Sequence, residues 1–147
     1  MDEPDGPHLA RDLPDLKVAI IGHTGRGNYG HWLDEAFDGV VGTQVVAVAD
    51  PDDAGRARVL AKTGASRGYA DYRELLDRER PDIAVVASRE IGDHHRVVLE
   101  VAARGSHVYL EKPVAASPAE VDEMVAACDA AGRHLVVAHP WRGHRAI

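Results

Sequence analysis

The sequence has almost no cysteine. Cys128 is the only one in 147 residues, so no internal disulfide can form. It sits in VAACDAAG, a stretch read as helical, where it reads as a small packed residue rather than a nucleophile. Long apolar runs are also missing: none approaches the ~18 residues that a membrane-spanning helix needs. Positive charge is in deficit, with 17 Lys and Arg against 24 Asp and Glu and a net charge of -7. Such a chain repels phosphate backbones and anionic lipid surfaces, which excludes a general binder of nucleic acid or membrane. The opening MDEPDGPHLARDLPDL lacks the basic start and apolar stretch of a signal peptide. Residues 1–15 read as a flexible acidic tail, and the protein as cytoplasmic. Internal repeats and low-complexity segments are absent.

What remains is a chain that is 45% hydrophobic, enough for one domain with a sizeable core. Five short apolar runs recur: KVAII, QVVAVA, DIAVVA, HVYL and HLVVA. They are valine-rich and not alternating, as strands buried on both faces of a parallel sheet are. A sixth, very short strand is expected near Tyr69. Helix-length segments separate these runs. YGHWLDEAFDG and DDAGRARVLAKTG close on glycine, DYRELLDRER opens on an aspartate cap, and DHHRVVLEVAARG follows the same design. SPAEVDEMVAACDAAG opens with Ser117, Pro118 and Glu120 as a capping box, and Val121, Met124, Val125 and Cys128 then recur at helical spacing. This alternation predicts an α/β fold with a doubly wound parallel sheet, Rossmann-like, over residues 16–147.

The first strand runs into GHTGRGNYG. The literal dinucleotide fingerprint GRGNYG starts three residues after the strand ends. Anchored on the strand, the register is Gly22, His23, Thr24, Gly25, Arg26, Gly27. Gly25, beside Thr24, supplies the backbone freedom that the motif asks of its middle glycine. Asn28 and Tyr29 then open the predicted helix, whose N-terminus faces the phosphates. The second strand ends in VAVADPD, with Asp50 at its tip. A carboxylate there accepts from ribose hydroxyls and disfavours a 2′-phosphate, which predicts NAD, with NADP possible given Arg26 and Arg56. Asp50 follows Gly22 by about 28 residues, against the usual ~20.

HVYLEKPVAASPAEVDEMV places Glu111, Lys112 and Pro113 directly after a strand. With VAIIGHTGRGNYG, VVAVADPD and PDIAVVAS in this order, the chain resembles the Gfo/Idh/MocA oxidoreductases from about Leu16 to Arg142. The resemblance implies a nicotinamide cofactor and hydride transfer to or from a hydroxyl-bearing carbon of a sugar or polyol. It implies that Lys112 is catalytic, beside the nicotinamide and the reacting hydroxyl, and that the Lys112–Pro113 peptide is cis. It places Ser88, Arg89, His94, Glu111, Lys112 and Pro113 beside the cofactor, with Gly22, Thr24, Gly25, Arg26, Gly27, Asn28, Tyr29 and Asp50.

There are departures. Ser88-Arg89 stands where the family often has Thr-Pro, and the loop SREIGDHH reads as one residue longer than usual. His94 and His95 are expected to cap a helix or face solvent, since consecutive helical residues point about 100° apart and seldom share one ion. His139 and His144 lack partners at ligand spacing, so no metal is expected. The family's C-terminal α+β substrate domain is not seen before Ile147, and Arg142 matches an arginine at the crossing point. The chain therefore reads as an oxidoreductase or its N-terminal half, or alternatively as a free-standing nucleotide-binding module. A flavodoxin-like domain explains neither Asp50 nor Glu-Lys-Pro. Either an apolar surface drives homo-oligomer formation, or a missing C-terminal domain covers it.

Overall fold

A computed structural model describes residues 14–139. Most of the acidic N-terminal stretch, Arg142 and His144 lie outside the described residues. Six strands form one all-parallel sheet: β1 (Leu16–Ile21), β2 (Thr43–Ala49), β3 (Arg67–Tyr69), β4 (Ile83–Val86), β5 (His107–Leu110) and β6 (Leu135–Val137). Their order is β3-β2-β1-β4-β5-β6, the doubly wound arrangement expected. The chain runs outward from β1 on one side and returns to pair β4 on the other. The strand ends between β1 and β4 therefore open into a crevice at the switch point.

Alternate residues of each strand feed two cores on opposite faces. Val18, Ile20, Val48 and Val85 join one core with Tyr29, Leu33 and Val59. Ala19, Ile21, Ala47 and Val86 join the other with Leu75, Leu76, Val98 and Met124. The continuous apolar runs are thus buried on both faces, as parallel sheets require.

Four α-helices cover the sheet: α1 (Asp53–Thr63), α2 (Tyr72–Glu79), α3 (Ile91–Ala103) and α4 (Pro118–Ala130). Their N-termini are capped locally. Asp52 accepts from the Gly55 amide, Asp71 from Arg73 and Ser117 from Glu120, each satisfying a donor the helix leaves open. Glu120 accepts from the Ala116 amide, one residue before the partner the capping box assigns it. On α4, Met124 and Cys128 are fully buried while Val125 stays 43% exposed, so the apolar stripe is narrower than its periodicity predicts. Among the described residues no helix is long and apolar enough to cross a membrane.

Two expectations are corrected. The helix predicted over YGHWLDEAFDG does not form: only Leu33–Glu35 make a short 3-10 helix. Gly30 and Trp32 have φ of 60° and 58°, and left-handed residues cannot propagate a right-handed helix. The loop SREIGDHH is also shorter than read, because α3 begins at Ile91 with Glu90 accepting from the Gly92 amide.

Candidate functional site

The glycine loop folds back on itself. His23 and Asn28 form an antiparallel bridge, and φ is positive at Gly25, Gly27, Asn28 and Gly30. Its amides turn inward: Thr24 donates to Asp50, Gly25 to Asn28 Oδ1 and Arg26 to the His23 carbonyl. The glycines do different work. A Cβ at Gly22 would overlap the Tyr29 ring, and one at Gly27 would overlap Ser88 Oγ and the amides of Arg89 and Glu90, whereas Gly25 faces open space. The β1 loop is stitched to the β4 loop at that crossing. Ser88 Oγ donates to the Arg26 carbonyl at 2.8 Å, and the Arg89 amide donates to the Gly27 carbonyl at 3.1 Å. The Arg26 side chain reaches Asp93 at 3.4 Å and Glu90 at 3.7 Å.

Two fully buried carboxylates hold the two ends of this loop. Asp50, 0% exposed, accepts from the Thr24 amide and hydroxyl, the Asp52 amide and the Tyr29 hydroxyl. Burial pushes the Asp50 carboxyl up, but the donors more than offset this and hold it below its ordinary value. Burial, then the bond to Asp50, raises the Tyr29 phenol strongly. At the other end, Glu111 accepts from the His31 amide at 2.6 Å, and its second oxygen lies 3.0 Å from His31 Nδ1 and from the Lys112 amide. A Cβ at Gly30 would overlap Glu111.

His94 is completely buried. Its ring nitrogens face the carbonyl oxygens of Pro113 at 2.8 Å and Ser88 at 2.7 Å, so it ties the β4 loop to the Glu-Lys-Pro segment. The expectation of a capping or solvent-facing pair is therefore corrected for His94. Only His95 points outward, to Glu123 at 2.7 Å. The Lys112–Pro113 peptide is cis. Lys112 is exposed.

A cleft of ≈ 300 Å³ opens at the strand ends of β1, β2 and β4, with Ile21, Ala49, Val86 and Val97 on its apolar side. Tyr72 stands at its edge, with the guanidinium groups of Arg73 and Arg96 at 4.8 and 5.8 Å from its ring centre. The structure thus brings Gly22, Thr24, Tyr29 and Asp50 together at one end. Ser88, His94, Glu111, Lys112 and Pro113 gather around the other. The residues that sequence reasoning missed are His31 and Gly55. Gly55 was detectable as a glycine inside the first turn of a helix, where a Cβ would overlap Thr24. His31 carried no signal, because its partner lies 80 residues away.

The model of the oxidoreductase family with an NAD-binding Rossmann fold, Gfo/Idh/MocA, matches residues 16–139. D-apiose dehydrogenase of Paraburkholderia graminis is 32% identical over 136 residues, covering 90% of this chain and 34% of its own length. Inositol 2-dehydrogenase 1 of Saccharopolyspora erythraea is 37% identical over 125 residues, covering 84% and 36%. The WlbA dehydrogenase of Chromobacterium violaceum, solved with NADH and UDP-GlcNAcA, superimposes with a TM-score of 0.78 at 27% identity, over 91% of this chain and 38% of that one. The chain spans about a third of the length of these relatives. With the strand order, the order of its motifs and a family match over nearly all the described residues, the chain belongs to the Gfo/Idh/MocA oxidoreductase family.

Proposed function

We propose that this domain binds NAD or NADP and serves a hydride transfer at a hydroxyl-bearing carbon of a sugar or polyol. The observation that carries the reading is the cleft at the switch point, lined from the ends of β1, β2 and β4. Its apolar side, Ile21, Ala49, Val86 and Val97, suits the adenine end of a dinucleotide. Ser88 and Arg89, crossing Gly27, bound the path from that cleft toward Glu-Lys-Pro. When bound, the nicotinamide supplies the hydride acceptor or donor. The ammonium of Lys112 holds the oxygen of the reacting hydroxyl or exchanges its proton. His94 and Glu111 fix the backbone on either side of that lysine without touching substrate themselves.

A second reading, a nucleotide-binding module without turnover, is favoured by one observation. Among the described residues, no carboxylate or imidazole pairs with Lys112 Nζ to complete an acid–base couple. Fluorescence titration of the full chain with NADH and NADPH tests what both readings share; enhancement with neither overturns both. NAD reduction across a panel of sugars and polyols then separates them. Turnover in the wild type, lost in Lys112→Ala with NADH binding intact, supports the oxidoreductase. No turnover at all supports the module.

A further inference from the structure

The Asp50 carboxylate has no lone pair to spare. An ionised carboxylate offers about four acceptor positions. Here four donors use them: Thr24 Oγ1 and Tyr29 Oη at 2.7 Å, the Asp52 amide at 2.9 Å and the Thr24 amide at 3.1 Å. Two of the donors are held in place by steric fit. The Thr24 side chain rests where a Cβ on Gly55 would stand, and the Tyr29 ring rests where one on Gly22 would stand. Tyr29 is 5% exposed and Asp50 not at all. The carboxylate therefore faces the underside of the glycine loop rather than the surface where a ribose would lie. The charged groups around it are accounted for as well. Asp52 caps the Gly55 amide. Arg56 donates to the Asp50 carbonyl oxygen at 2.6 Å and pairs with Asp53.

We infer that Asp50 is a positioning residue: it pins the glycine loop through Thr24 and Tyr29, and the choice between NADH and NADPH does not run through its carboxylate. This inference rests on the nucleotide-binding reading above. A ribose hydroxyl would have to displace a donor already at good distance, exchanging one hydrogen bond for another with little net gain. Four neutral donors leave the Asp50 charge in place, but they direct its lone pairs into the loop and away from a bound nucleotide. Its contribution to binding is order in the loop, which serves both nucleotides equally.

The test uses the full chain as wild type, Asp50→Asn, Thr24→Val and Tyr29→Phe, each melted and titrated with NADH and with NADPH. Asp50→Asn is expected to lower Tm by about 5 °C or more, with smaller losses for the other two. All three are expected to weaken both nucleotides by a common factor, leaving the ratio of the two Kd values within about twofold of wild type. A change in that ratio of tenfold or more in any variant overturns the inference. So does unchanged affinity for both nucleotides in the destabilised variants, which would make the network merely structural. Should Asp50→Asn not fold, Thr24→Val and Tyr29→Phe carry the same comparison. Failure of the wild type to bind either nucleotide sinks the nucleotide-binding reading instead. The pin is then judged by the melts alone: additive Tm losses in a Thr24→Val/Tyr29→Phe double variant overturn it, and non-additive losses uphold it.

Discussion

The segment between β1 and β2 and the pair α3–α4 are held by different physics. From Gly22 to Gly42 the chain has a three-residue 3-10 helix, the His23–Asn28 bridge and otherwise turns. Turn bonds satisfy much of its backbone, but its placement rests on contacts specific to single atoms: Asp50 at one end, Glu111 at the other, with glycines where a Cβ would collide. Helices α3 and α4 satisfy their own backbones and bury Val97, Val98, Val101, Met124 and Cys128. An apolar face tolerates small shifts, because burial is roughly proportional to area and has no direction. A carboxylate with four donors tolerates none. The first region should therefore fail abruptly on single substitutions, and the second gradually.

The sharpest challenge to that contrast is Gly30→Ala. Gly30 has φ of 60°, and its added Cβ would overlap Glu111 and the Ala87 carbonyl. Left-handed strain and overpacking together predict a loss of about 3–5 kcal/mol. The loss should appear in denaturant titration as a lower midpoint. A loss below about 1 kcal/mol would mean that the loop gives way as easily as a surface turn.

Next in size is the pH response of the Tyr29–Asp50 bond. Burial raises the Tyr29 phenol and its bond to Asp50 raises it further, so the folded state holds that proton more tightly than the unfolded chain does. The resulting stability is fully present below the ordinary tyrosine value of about 10 and is lost as pH rises above it. Tyr69 and Tyr72 are raised too, so wild type weakens with alkali from several sources. Tyr29→Phe should be less stable at pH 7 by about 1–2 kcal/mol, and the gap should close between about pH 10 and 12. Parallel stability curves for the two proteins over that range would contradict the assignment. Asp50 runs the opposite way: its carboxyl is lowered, so its contribution is present above about pH 4 and fades in acid.

The same contrast explains what could be read in advance. Strands β1, β2, β4 and β5 were legible because a two-sided apolar run has few other folded forms. Ser117 and Pro118 announced α4 because capping chemistry is local. YGHWLDEAFDG had helix length and a closing glycine too, but Leu33 is held by the core while Gly30 and Trp32 take left-handed angles. Length and a closing glycine do not report whether the backbone can coil. The site divided along the same line. Glu111-Lys112-Pro113 and Asp50 could be found, because each is tied to a strand end. That Asp50 and Glu111 face inward could not, since their partners Thr24, Tyr29 and His31 lie 21 to 80 residues away in sequence.

The smallest effect should come from α4, where a local cap can be removed without touching the apolar face. Ser117 accepts from the Glu120 amide at 3.3 Å, a long bond at a partly exposed helix end. Pro118 still fixes the first helical residue, Glu120 still holds the Ala116 amide, and Met124 and Cys128 stay buried. Ser117→Ala should cost about 0.5–1 kcal/mol. Hydrogen exchange should quicken in the first turn of α4 and stay unchanged at Met124 and beyond, because fraying is confined to the last satisfied turn. A cost as large as that of Gly30→Ala would erase the distinction. It would show that α4, like the glycine loop, depends on single directional bonds rather than on the area it buries.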